Sequence, residues 1–192
     1  MKQSFKAIVS EIVDLSPDQW TLLEDLAFAK KAKKGDLILR ADSRTRDLFF
    51  INSGLWRGYR LIEGQEYTHH FFGAGWFATD FQSYLTGEPG KLYLEALTDS
   101  DYLVFRKKEL EDLYQAVPVF EKLGRHIAER AYLHMVDRLV DFQTNNLHER
   151  YQQLLRKHPN LLQEVPQKYL ASYLGVAGQS LSRIKSKRSR KK

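Results

Sequence analysis

The chain has 192 residues, 43% hydrophobic and 12% aromatic, with 30 Lys and Arg against 24 Asp and Glu and no cysteine. That much apolar side chain can build a packed core, and the lack of cysteine excludes disulfides, thiolate metal sites and a cysteine nucleophile and fits a cytoplasmic protein. No run approaches the roughly eighteen apolar residues of a membrane span, so no membrane contact is expected.

The start, Met1-Lys2-Gln3-Ser4-Phe5-Lys6, lacks the apolar run and small-residue cleavage site of a secretory signal. Residues 1–30 read as helical. Ile8, Ile12, Val13 and Leu15 carry one apolar face, and Ser16-Pro17-Asp18 is a helix start with serine at the N-cap and proline at the first helical position. Trp20, Leu22, Leu23, Leu26 and Phe28 continue the apolar pattern.

From Lys33 the period changes. The segments 37–39, 48–51, 55–61, 67–72, 92–97 and 102–105 read as short strands punctuated by Gly35, Gly54, Gly64 and Gly73. Such spacing predicts a closed all-β form, a jelly-roll-like β-roll. Helical period returns with a short helix over 109–116 and a long one over 119–143. On the long helix, Ala128, Tyr132, Met135, Leu139 and Phe142 recur at alternating spacings of four and three. That is the seam of a coiled coil and predicts a dimerisation helix; packing of the helix on its own β domain is the alternative. Thr144-Asn145-Asn146 reads as a hinge. A helix over 149–157, a break at 158–160 and a short helix over Leu161–Val165 follow.

The sharpest pattern lies at the C-terminus. Pro166 can open a helix. Leu170 and Leu174 form an apolar pair one turn apart, and Ala171 is small where helices cross closely. Gly175 sits where the chain must turn sharply, Val176 plugs the turn, and Leu181 and Ile184 anchor a second helix. Gly178, Gln179, Ser180, Ser182 and Arg183 then point outward, and Gln and Arg are side chains that read base edges in the major groove. Lys185, Lys187, Arg188 and Arg190 lie beyond them as phosphate contacts. Residues 183–192 hold seven of the basic residues and no acidic one, so the net charge of +6 belongs to this tail. A cationic cluster beside such a helix is an electrostatic footprint for double-stranded DNA, although a solubilising tail has the same composition.

On these residues the chain resembles the CRP/FNR family of bacterial regulators over nearly its whole length. The resemblance rests on Lys34-Gly35-Asp36-Leu37-Ile38-Leu39 with Phe49-Phe50-Ile51-Asn52-Ser53-Gly54, on the long helix, and on Leu174-Gly175-Val176 with Leu181-Ser182-Arg183-Ile184. The spelling of 165–184 is similar to the family's Bacteroidetes branch. The resemblance implies an α+β protein in three parts. These are a cyclic-nucleotide-binding-like β-roll sensor over 1–116, a dimerisation helix over 117–145, and a winged-helix-like helix-turn-helix domain with a basic tail over 146–192. It also implies a homodimer that reads a palindrome, with RNA polymerase as a further candidate partner.

The family's cyclic-nucleotide cassette is a glycine-glutamate pair followed by an arginine beside Ser, Thr or Ala. Here the matching stretches are Gly75 to Phe81 and Gly90 to Ala96, where Thr79 or Asp80 replaces the glutamate. No arginine lies between Arg60 and Arg106, and Lys91 lacks the bidentate fork of a guanidinium. Cyclic AMP is therefore not expected. No cofactor is assigned; an unidentified small-molecule effector would use Phe77, Thr79, Asp80, Gln82, Ser83, Lys91 and Tyr93, in an aromatic cluster that is otherwise plain core. The absence of cysteine excludes the family's iron–sulfur cluster. The family's usual base-reading arginine falls on Gly178, so the operator is expected to differ, while Arg183 is retained.

His69 and His70 alternate faces on a strand, which is poor metal geometry. Asp80, Glu88 and Glu95 have no acid or nucleophile fixed beside them, so no catalytic residue and no metal site is expected. The competing functions are a small-molecule-binding signalling module acting through a protein partner, and a metal-dependent β-roll enzyme.

Overall fold

The computed structural model describes the backbone of residues 2–157 and 164–189 and the side chains of 5–156 and 164–184. The chain divides into two compact units, 1–58 with 71–131 and 59–70 with 132–192.

The first unit opens with helices α1 (Lys2–Ser10) and α2 (Pro17–Asp25). Ser16 caps α2 as its spelling predicts: its hydroxyl accepts from the Gln19 N–H, the Gln19 side chain accepts from the Ser16 N–H, and Pro17 follows. Eight strands come next: β1 (Phe28–Ala32), β2 (Leu37–Leu39), β3 (Asp47–Ser53), β4 (Trp56–Ile62), β5 (Gln65–Phe72), β6 (Phe77–Ala78), β7 (Tyr93–Ala96) and β8 (Ser100–Arg106). A short helix, α3 (Phe81–Thr86), interrupts them, and α4 (Lys107–Ala116) and α5 (Pro118–Thr144) end the series. The strands form two four-stranded sheets, ordered β1-β8-β3-β6 and β2-β7-β4-β5.

Two cores explain the sequence of β3. Phe49 and Ile51 share one cluster with Trp56, Phe72, Leu94, Ala96, Tyr102 and Val104, which come from both sheets and fill the space between them. Leu48 and Phe50 belong to a second cluster with Phe5, Val9, Leu23, Leu103, Phe105, Leu113, Phe120, Leu123 and Ile127, which covers the other face of the first sheet with helices. A strand buried on both faces has no polar side to alternate, hence the continuous run Leu48-Phe49-Phe50-Ile51. Phe49 and Tyr102 both meet Trp56 edge-on, at ring separations of 5.9 and 4.9 Å.

The second unit contains residues 59–70, the rest of α5, α6 (Leu147–Lys157), α7 (Gln167–Tyr173) and α8 (Gly178–Ser189). Its core is built from Tyr151, Leu154, Val165, Leu170, Ala171, Leu174 and Leu181, all buried.

Two features differ from the sequence reading. Residues 28–32 form an edge strand paired with β8, not the end of a helix. Among the described residues no strand follows Arg106, so the helix-turn-helix has no wing there. By contacts, the unit division falls inside α5, after Ala131, and groups 59–70 with the C-terminal helices. The expected hinge at Asn145–Asn146 carries hydrogen bonds on both sides. The Asn145 amide donates to Asp141, Asn146 caps α6 by accepting from the His148 and Glu149 N–H groups, and Arg150 donates to the Asn145 carbonyl. The helix expected over Leu161–Val165 lies outside the described residues except at Glu164 and Val165.

Candidate nucleic-acid interface and sensor cassette

α7 and α8 form a helix-turn-helix because four small or apolar side chains meet between them. Leu170 and Leu181 are fully buried, and Ala171 and Leu174 nearly so. The turn closes on main-chain bonds from Gly175 N–H to the Ser172 carbonyl and from Val176 N–H to the Ala171 carbonyl, both 3.0 Å. Gly175 adopts φ +70°, and a Cβ there would lie 2.7 Å from the Phe142 ring. Both facts require glycine.

The sequence-predicted readers sit on α8. Gly178, Gln179, Ser182 and Arg183 are exposed and Ser180 is half-buried. Ser182 is also tied internally, since the Gln167 amide donates to its hydroxyl at 2.6 Å. Lys185, Lys187 and Arg188 fall on the last turns of α8, with their side chains outside the described residues.

Two arginines that the sequence reading passed over hold the carbonyls next to the turn. Arg138 donates to the Tyr173 carbonyl at 2.7 Å, and its guanidinium stacks 3.8 Å from the Tyr173 ring. Burial depresses the Arg138 pKa from its ordinary value, while Tyr173 opposes that shift. Arg150 donates to the Leu174 carbonyl and to those of Phe142 and Asn145. The Phe142 ring lies between the two guanidiniums, at 4.9 and 4.7 Å. These residues, with His134 and Gln153, line a cavity of about 50 Å³. The sequence carries no local signal for these contacts, since Arg138 lies inside α5 and Arg150 near the N-terminus of α6. Phe142 makes these contacts while staying 39% exposed, and Ala128, Tyr132, Met135 and Leu139 of the expected seam are exposed on α5 as well.

In the sensor unit, the residues offered as an effector pocket are largely committed to the chain itself. Asp80 is buried; its carboxylate caps α3 through the Ser83 N–H and also accepts from the N–H groups of Lys91 and Leu92, both at 3.1 Å. The Ser83 hydroxyl donates to the Glu88 carbonyl and accepts from the Thr45 N–H, and Thr79 donates to the Asp47 carbonyl. Phe77 packs edge-on against Phe5 and Phe50. Phe77, Thr79, Asp80 and Ser83 of the expected pocket thus all have partners within the chain. Gln82 and Lys91 are exposed and Tyr93 half-buried. Arg57, which the sequence reading gave no role, is fully buried beneath its ion pair with Glu95.

His69 and His70 are both half-buried on β5, and the His70 and His134 rings meet tilted by 46° with centroids 4.2 Å apart. Among the described residues no group of three or more His, Asp or Glu side chains could hold a metal ion, and no helix is long and apolar enough to cross a membrane.

Residues 29–117 match the family model of the cyclic nucleotide-binding domain. FixK2 from Bradyrhizobium japonicum has a similar structure, with a TM-score of 0.75 at 16% identity over 86% of this chain and 85% of that one. A CRP/FNR-family putative transcriptional regulator from Eubacterium rectale gives 0.70 at 16% identity, over 89% and 82%. The catabolite activator protein of Thermus thermophilus gives 0.54 at 20% identity, over 92% and 85%. None of the curated proteins compared with the chain matches it. The fold is therefore that of the CRP/FNR transcription regulators: a cyclic-nucleotide-binding-type sheet domain, a long helix and C-terminal helices.

Proposed function

We propose that this protein is a cytoplasmic, homodimeric transcription regulator that binds double-stranded DNA sequence-specifically through α8. The observation that carries this reading is the crossed pair α7–α8, which buries Leu170, Ala171, Leu174 and Leu181 and leaves Gln179, Ser182 and Arg183 exposed on a helix with no acidic residue. Such a helix offers base-reading donors and a cationic end to a major groove. The half of α5 after Ala131 exposes Tyr132, Leu133, Met135, Leu139 and Val140, which supports a second copy as partner.

The sensor domain serves an effector other than cyclic AMP, or none. Asp80 already fills the main-chain donors of Lys91 and Leu92, and no arginine lies in the matching stretch, Gly90 to Ala96. A side chain at Gly90 would start 2.6 Å from the Asp80 carboxylate.

Selection of bound duplexes from random DNA tests the assignment. A palindromic consensus is expected. Arg183→Ala should relax one position of it, at a cost of about 1–3 kcal/mol, whereas Lys187→Ala with Arg188→Ala should weaken specific and random duplexes alike. Equal effects of both changes on both kinds of DNA would remove the base-reading role.

A further inference from the structure

Ser172 is the most unusual side chain of α7. Its hydroxyl donates to the Glu66 carbonyl at 3.1 Å and accepts from the Thr68 N–H at 2.8 Å. Glu66 and Thr68 lie two apart on β5, so those two groups point the same way. β5 is the outer strand of its sheet, and an outer strand carries main-chain donors and acceptors that no neighbour pairs. One hydroxyl thus does what a residue of an adjoining strand would do, satisfying a carbonyl and an N–H on either side of Tyr67.

The next three residues of the chain are also held from outside the helix pair. Arg138 binds the Tyr173 carbonyl, Arg150 binds the Leu174 carbonyl, and the Phe142 ring lies against Gly175. The turn of the helix-turn-helix is therefore gripped at four consecutive residues, 172–175. Three of the holds come from α5 and α6 and one from the β4–β5 hairpin. The Asn145–Asn146 segment between α5 and α6 is itself hydrogen-bonded on both sides.

From this geometry we propose that Ser172 is a positioning residue for DNA recognition. By docking α7 on the edge of β5, it fixes the direction in which α8 presents Gln179 and Arg183. The inference rests on the DNA-binding reading above. The hairpin then moves as part of the DNA-reading body, in keeping with the grouping of 59–70 with the C-terminal helices. A helix-turn-helix freed from the edge keeps its basic end and its own small core, so random DNA should still be bound while the fit to a specific site is lost.

Amide hydrogen exchange and DNA binding of the full chain test this together. In Ser172→Ala the Thr68 amide should exchange at least about tenfold faster, the scale of one lost hydrogen bond at a buried residue. Affinity for the selected palindrome should fall about tenfold, with affinity for random duplex unchanged. Ser172→Thr, which keeps the hydroxyl, should restore both. The proposal is overturned if Ser172→Ala leaves the Thr68 exchange rate and the ratio of specific to random affinity as they were, or lowers both affinities equally. Failure of the wild-type chain to bind any duplex would instead sink the DNA-binding reading, while the exchange rate of Thr68 would still report on the grip.

Discussion

Asp80 and Gly90 show how much one carboxylate can organise. Three main-chain N–H groups converge on Asp80, and the absence of a side chain at Gly90 lets the two segments close on each other. Hydrogen bonds to a buried charged group contribute about 1.5–3 kcal/mol each when both partners are present. Asp80→Asn should therefore lower the urea midpoint of the sensor domain with little change of slope, and Gly90→Ala should cost about 1–3 kcal/mol by overpacking. An unchanged midpoint in both variants would show that the loop is not latched. The sequence held a signal for Asp80 that the pocket reading overlooked. Asp three residues before Ser, at the start of Phe81–Thr86, is an N-cap spelling. By contrast Gly175 was legible at once, because an apolar residue on each side of a lone glycine within a helical pattern marks a turn. Gly175→Ala meets both a positive φ and the Phe142 ring, so it should destabilise the C-terminal unit by about 1–3 kcal/mol, measured by thermal unfolding.

At the scale of elements, the strands with apolar runs and glycine punctuation were readable, and β1 was not. Phe28-Ala29-Lys30-Lys31-Ala32 has no alternation, because four of its five residues are exposed and only Ala32 is buried. An outer strand of this kind is specified by its partner β8 and protected by lysines, not by its own pattern. The long helix was readable as a helix, but its division was not: Phe120, Leu123 and Ile127 are spent on the sensor core, while the stripe beyond Ala131 is left outward. The β5 edge carries a pH dependence of defined sign. Burial, with Arg60 and Arg138 nearby, lowers the His69 pKa below the ordinary 6.5, so the folded state favours neutral imidazole. Stability from this group is complete above pH 6.5 and is lost as pH falls from there toward the depressed folded value. Denaturant midpoints should drop between pH 7.5 and 5.5 by less in His69→Gln than in the wild type. Parallel curves for the two proteins would show that His69 is not the group responsible.

For the whole molecule, the question is what covers the second half of α5. Tyr132, Met135 and Leu139 are 68, 54 and 58% exposed, and Leu133 and Val140 widen the stripe beyond a two-position seam. Side chains of this size left in water at heptad spacing fit a helix that meets its own copy, since the same stripe on both partners is self-complementary about a twofold axis. The spacing alone was enough to propose the seam. That Phe142 would also meet Arg138, Arg150 and Gly175 was not legible, because the contacts join residues that only the tertiary fold brings together. Leu139→Glu places a charge at the centre of the stripe without touching either core, so it should leave the circular dichroism of the protein unchanged. It should turn the dimer into a monomer by sedimentation and weaken binding of a palindrome far more than binding of one half-site, because only a dimer engages both halves at once. If Leu139→Glu sediments as the wild type does, the stripe is not the interface. A homodimer would then need another surface.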